Sequence, residues 1–362
     1  MLPTTPIASR QAHGLREYNA DAETFVATEI PNLRIGLASS LAAGDATLSA
    51  RFLYGLWFHW LTAGLGREAE ARAREWLKLD PPGNVADYLG GLIAVGEILR
   101  GIGDRSKAIE LKRVALSVAD SHPNVVLFGR PASRWAPPLL SDLASLLIDV
   151  GEVVEARGRA EETLRLRREA GQAKGITHAL WAVIQIEDTE ENFARALELT
   201  QEAIALYEQA AVDPREFIAG RMYAAELNVL LGREDAAIAT LHTVMSGHQS
   251  LLDVGNDATA LRVAAHLAVS LGESELALRL IAAVADLAER TGTTVRGRSE
   301  VERDERAIVA ATETVGLETA RRAAEEGRDA DAGQLIDEVR IWLDQLECDR
   351  LARAEQAPPS VD

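Results

Sequence analysis

The chain is expected to be all-α: an α–α superhelix, a solenoid of antiparallel helix pairs repeating about every 40 residues and closed by a C-terminal helical cap. Three observations predict it: the composition, a phrase that recurs along the chain, and a change of pattern at both ends. Hydrophobic residues make up 47% of the 362 positions, enough for a large core, while aromatics make up only 5%. Much of the apolar content is Ala and Leu, which favour helices, whereas strands favour β-branched and aromatic side chains.

The recurring phrase is an apolar helix end, a Gly, and an Ala five residues later on a second helix. It occurs as Gly66 with Ala71, Gly103 with Ala108, Gly151 with Ala156, Gly232 with Ala237 and Gly272 with Ala277. A further copy places Glu191 where the others have Gly, followed by Ala196. Successive anchors are separated by 37, 48, 40, 41 and 40 residues. Gly closes helix A by allowing a left-handed or tight-turn backbone. The small Ala then lets helix B approach closely. A pair this thin cannot bury its apolar stripe alone, so neighbours must stack on it. The phrase resembles the tetratricopeptide repeat, with helices a turn or so longer than in its 34-residue form.

The 48-residue step contains Ser121–Pro138, a Pro-rich loop around Phe128, Arg134 and Trp135. Its Trp is expected either to plug its own array or to meet a partner. Residues 1–20 and 347–362 read as flexible tails, 21–290 as the repeat array, and 291–346 as capping helices. The last of these carries Ile336, Val339, Trp342, Leu343 and Leu346.

Near the front, Asn32-Leu33-Arg34 is expected to open a helix and Gly44-Asp45 to end it. Leu56-Trp57-Phe58-His59-Trp60 falls on the next helix and Trp76-Leu77 on a third. This pattern resembles the start of the repeat region in bacterial STAND-type signal-transduction ATPases and LuxR- or AfsR-like transcriptional regulators. The run from Leu278 to Ala283 and on to Val315-Gly316 resembles the helical end of that family. The resemblance implies regulation by a ligand or partner, in a sensor region without the ATPase and DNA-binding domains.

Several chemistries find no support. The formal net charge is -18, from 38 basic and 56 acidic residues, which opposes direct binding to nucleic acid or anionic lipid. No Gly-Lys dipeptide is present for a phosphate loop, no Gly-x-Ser-x-Gly elbow occurs, and the seven His are scattered. Neither a catalytic residue nor a cofactor or metal site is expected. Arg157, Arg159, Arg165, Arg167 and Arg168 are interleaved with Glu and read as a solvated helix face. A single Cys, Cys348, fits a reducing cytoplasm.

In tetratricopeptide arrays, helix A of each pair lines the inner surface. Counting back from the turns selects His178, Trp181 and Gln185, then Met222 and Glu226, then Arg262 and His266. Such a mixture suits recognition of a peptide or helix. The reading is a non-enzymatic protein-interaction or ligand-sensing module of a bacterial regulatory system, with a protein or peptide partner or a second copy of the chain. A receptor for a small signalling peptide or effector is the alternative. A helical enzyme whose residues converge only in space is the next.

Overall fold

The computed structural model describes residues 20–127, 129–169, 171, 173–210, 217–246, 254–292 and 298–356. Sixteen α-helices occupy these residues: α1 (Ala20–Ala42), α2 (Ala46–Thr62), α3 (Gly66–Trp76), α4 (Val85–Gly101), α5 (Arg105–Ser121), α6 (Ala136–Asp149), α7 (Val153–Glu169) and α8 (Ala173–Thr189) come first. They are followed by α9 (Phe193–Gln209), α10 (Ile218–Leu230), α11 (Glu234–Ser246), α12 (Val254–Ser270), α13 (Ser274–Thr291), α14 (Arg298–Val315), α15 (Leu317–Asp329) and α16 (Ala332–Gln356). The all-α expectation holds. The chain divides into two compact units, the first comprising residues 1–192, 202–216 and 291–295 and the second the remainder.

Five A–B junctions are built the same way. At Gly103, Gly151, Glu191, Gly232 and Gly272 the backbone has φ between 59° and 88°. The N–H of that residue donates to the carbonyl three positions back, as from Gly103 to Arg100 and from Gly232 to Val229. The next N–H reaches five positions back, from Asp104 to Leu99 and from Arg233 to Asn228. These paired bonds satisfy carbonyls that a helix end would otherwise leave open. The partner alanines Ala108, Ala156, Ala196, Ala237 and Ala277 are all buried.

The first copy of the phrase needs correction by two residues. Gly64 has φ 70° and carries the turn, with Leu65 donating to the Trp60 carbonyl, whereas Gly66 is already the first residue of α3. The small partner is accordingly the buried Ala69 and not the exposed Ala71. Gly44 at φ 69° makes the same kind of turn between α1 and α2, with the buried Ser49 five residues later in place of Ala.

In the first unit, Leu53, Trp60, Leu89, Ile93, Leu139 and Leu143 are fully buried. Trp76 closes α3 onto α2 by donating its indole N–H to the Ala46 carbonyl at 2.9 Å. A Cβ at Gly91 of α4 would stand 2.4 Å from the Trp76 ring, so only Gly permits this approach. Helix α1 does not begin at Asn32; it starts at Ala20 and passes through Pro31, which leaves one backbone hydrogen bond unmade.

Within Ser121–Pro138, Val126–Leu127 pair antiparallel with Arg130–Pro131, and a short 3-10 turn follows at Ala132–Arg134. Trp135 is buried and meets Tyr54 edge to face, with ring centroids 6.5 Å apart. It therefore serves as the plug.

In the second unit, helices α10 to α13 share one core with Leu335, Ile336, Val339 and Leu343 of α16. Arg340 donates to the Met245 carbonyl at the end of α11, and His242 pairs with Asp344. Helix α16 thus lies back over α11 to α13, where a simple terminal cap would touch only the last pair. It also continues to Gln356, so residues 347–356 are helix rather than tail; 1–19 and 357–362 lie outside the described residues.

Glu191 is the one residue other than Gly with positive φ among the described residues. A left-handed residue carrying a Cβ costs about 1–2 kcal/mol relative to its helical form. We expect Glu191→Gly to stabilise the protein by about 1 kcal/mol and Gly232→Ala to destabilise it by a similar amount, read as shifts in the urea unfolding midpoint.

Candidate functional site

Three successive A helices of the second unit, α10, α12 and α14, meet through buried charge. Glu226 on α10 accepts both arms of Arg262 on α12, with Nη1–Oε1 at 2.7 Å and Nη2–Oε2 at 3.0 Å. Arg303 on α14 donates its Nε to the same Oε1 at 3.1 Å. Arg262 also bonds Glu300 at 2.6 Å, which ties α12 to α14. His266, one turn beyond Arg262, places Nε2 2.9 Å from Asp304 and Nδ1 3.5 Å from Glu226.

Glu226, Arg262, His266, Arg303 and Asp304 are all buried, with Glu226 at 0% exposure. Burial pushes the Glu226 carboxyl upward, but Arg262, the neighbouring His266 and Arg303 outweigh it and hold it well below the ordinary range. For His266 burial works downward, and the hydrogen bond to Asp304 and the nearby Glu226 carboxylate reverse it, so the imidazole is raised. The charges show why. With His266 neutral, two guanidinium groups face the three carboxylates Glu226, Glu300 and Asp304; with His266 protonated, the cluster is balanced.

The sequence-selected residues therefore separate. Glu226, Arg262 and His266 converge on one network. Met222, one turn before Glu226, is fully buried in the core of the same unit. Trp181 and Gln185 are half-buried on α8 of the first unit, and the side chain of His178 lies outside the described residues. Glu300, Arg303 and Asp304 were missed because α14 read as a cap. Their signal was repeat spacing: Arg262 to Glu300 and His266 to Asp304 are both 38 residues apart, and Glu226 to Arg262 is 36.

The first unit holds a second buried network. Lys112 on α5 is fully buried and reaches between two A helices, bonding Glu97 of α4 and, at 2.8 Å, Asp142 of α6. Arg100 closes on the other Glu97 oxygen at 2.9 Å. Burial would lower the Lys112 ammonium, but Asp142 and Glu97 raise it. On the outer edge Arg51 of α2 and Asp87 of α4 repeat the A-to-A pairing through two bonds of 2.7 and 2.9 Å.

Among the described residues, no group of three His, Cys, Asp or Glu is arranged to hold a metal ion. No described helix is long and apolar enough to cross a membrane.

No protein-family model and no curated protein matches the chain. Among solved structures it is similar to a signal-transduction ATPase with numerous domains (STAND) that carries a tetratricopeptide-repeat sensor, from Pyrococcus horikoshii. The TM-score is 0.50 at 14% identity, over 94% of this chain and 53% of that one. The chain thus spans about half the length of that protein, and the likeness is one of fold: helical and tetratricopeptide-like.

Because the folded pKa of His266 lies above its ordinary value of 6.5, the charged form contributes stability that is complete below 6.5. That contribution is lost as pH rises through the folded value. The urea midpoint of the second unit should fall as pH is raised above 6.5, at about 1.4 kcal/mol per unit of pKa difference. His266→Gln should flatten this dependence, and an imidazole NMR titration should locate the folded value directly.

Proposed function

We propose that the protein is a non-enzymatic sensing or interaction module of a regulatory system, and that each unit can take a protein or peptide partner on its own A helices. The observation that carries this reading is the chain of ion pairs and hydrogen bonds joining three successive A helices through Glu226, Arg262, His266, Glu300, Arg303 and Asp304. A ligand that shifts one A helix must rearrange buried charges on the next two. That gives a local contact a reach of three repeats and supplies differential energy between two arrangements. The tetratricopeptide sensor in the similar STAND protein supports the same role.

Direct contact falls to side chains with exposed surface. Trp181, half-buried on α8, offers an apolar anchor, and Gln185 one turn later offers an amide. Arg262 and His266 act beneath the surface as coupling groups, which makes Arg262→Ala a test of folding rather than of contact.

A peptide library displayed on phage, selected against the full chain, supplies the ligand for the test. Titration calorimetry should show at least a tenfold loss of affinity for Trp181→Ala, in keeping with a buried aromatic anchor. Unchanged affinity in Trp181→Ala and Gln185→Ala alike removes the A face of α8 from the site.

A further inference from the structure

His266 stands six residues before the Gly272 turn of its repeat, and the same place in the preceding repeats is held by Gln185 and Glu226. On α10 and α12 the side chains at this place are buried, so the repeat carries a titratable group into the space between successive A helices.

The His266 ring has a carboxylate on each side. Its Nε2 lies 2.9 Å from Asp304 Oδ1 of α14, and its Nδ1 lies 3.5 Å from Glu226 Oε1 of α10. Nδ1 is enclosed and makes no hydrogen bond among the described residues, so its contact with Glu226 is one of charge. A neutral imidazole carries one N–H and one lone pair. Whichever nitrogen keeps the proton, the other then turns its lone pair on a carboxylate oxygen. Only the imidazolium, with an N–H on both sides, suits both neighbours.

The other charges around the ring come from the same three helices. Arg262 of α12 gives both arms to Glu226 and reaches Glu300 of α14, and Arg303 of α14 gives its Nε to Glu226. The remaining elements meet α12 through apolar side chains. Ile238 and Leu241 of α11, Leu280 and Ile281 of α13 and Val339 of α16 share its core, and Ala320 and Ala323 of α15 lie with Ala311 of α14.

We propose that His266 is a proton switch on the attachment of α14: the imidazolium holds α14 to α10 and α12, its deprotonation releases α14, and binding on the A helices of this unit is thereby regulated by pH. The regulatory step rests on the A helices being the binding face. Loss of the proton leaves three carboxylates against two guanidinium groups in a buried space, where an uncompensated charge is costly. Helix α14 supplies two of those carboxylates, Glu300 and Asp304, and one guanidinium, Arg303. Its withdrawal removes the excess and leaves Glu226 and Arg262 as a balanced pair. Burial lowers the imidazole, the two acids outweigh it, and the release therefore falls above 6.5.

Hydrogen exchange of the full chain, read by mass spectrometry and corrected for base catalysis, tests the switch without any ligand. Between about pH 6 and about pH 9, peptides from α14 should come to exchange about tenfold faster for each unit by which the pKa differs between closed and open forms. His266→Gln, which cannot take up the proton, should remove this pH dependence. Asp304→Asn leaves two carboxylates to two guanidinium groups with the ring neutral, so α14 should stay protected across the range. His242→Gln, at the surface pair with Asp344, should leave the parent profile unchanged. Protection of α14 that does not vary with pH, or a pH profile that survives both His266→Gln and Asp304→Asn, overturns the switch. Calorimetry with the phage-selected peptide then tests the regulation. Its affinity should weaken about tenfold across the same range in the parent chain and stay constant in His266→Gln. Constant affinity in the parent chain overturns the regulatory step and leaves the binding face standing. Failure to select any peptide removes the binding face and the regulatory step with it, while the exchange profile still decides the switch.

Discussion

The structure depends on one backbone constraint, repeated at most helix-pair junctions: a left-handed residue that stops helix A, with two hydrogen bonds that capture its last carbonyls. Once the chain turns this way, its next helix must run back along the first. The spacing then places a small residue, Ala108, Ala156, Ala196, Ala237 or Ala277, at the crossing. A larger side chain there would push the helices apart and leave voids that no neighbour could fill. The Glu at position 191 shows that the constraint is conformational and not chemical. The same φ and the same two bonds, from Glu191 to Asp188 and from Asn192 to Glu187, form without glycine.

Turns fix the pairing within a repeat, and charge fixes the register between repeats. Arg51 with Asp87 and Glu226 with Arg262 are each 36 residues apart, on consecutive A helices, with the polarity reversed between the two units. A slip by one helical position would separate these groups. When one partner of a buried pair is lost, the other is left uncompensated at a cost of about 3–5 kcal/mol. Apolar packing alone would penalise such a slip less, because Ala and Leu faces are nearly interchangeable. Lys112 plays a related part from a B helix, since its ammonium is shared by carboxylates on α4 and α6.

The fold was legible because its determinants are local. Gly and Ala at fixed offsets report on backbone conformation and close approach, and both are written within five residues of each other. The first junction was misplaced because Gly64 and Gly66 offer two anchors, and only the hydrogen bond from Leu65 to Trp60 distinguishes them. The site was half legible. Helical periodicity found Glu226, Arg262 and His266, yet it gave no sign that they are buried. Burial depends on α14, whose Glu300, Arg303 and Asp304 cover them, and a charged helix reads as solvated unless its partners are already known. Lys112 was invisible for the same reason: nothing in its neighbourhood marks a lysine as fully enclosed.

Helix α16 changes how the second unit responds as a whole. In a strictly linear array each repeat touches only its neighbours, so stability is a sum of nearest-neighbour terms and an end can fray alone. Here α16 pairs Arg340 with a carbonyl 95 residues earlier and Asp344 with His242, 102 residues earlier. Its buried Leu335, Ile336, Val339 and Leu343 complete the core that α10 to α13 begin. Such long-range closure makes the unit cooperative, because opening α16 exposes the same core that the outer helices share. The ionic network runs through α10, α12 and α14, while α16 binds α11 to α13. A displacement on the A face therefore cannot be absorbed by local fraying. It is resisted by the ion pairs and the shared core together.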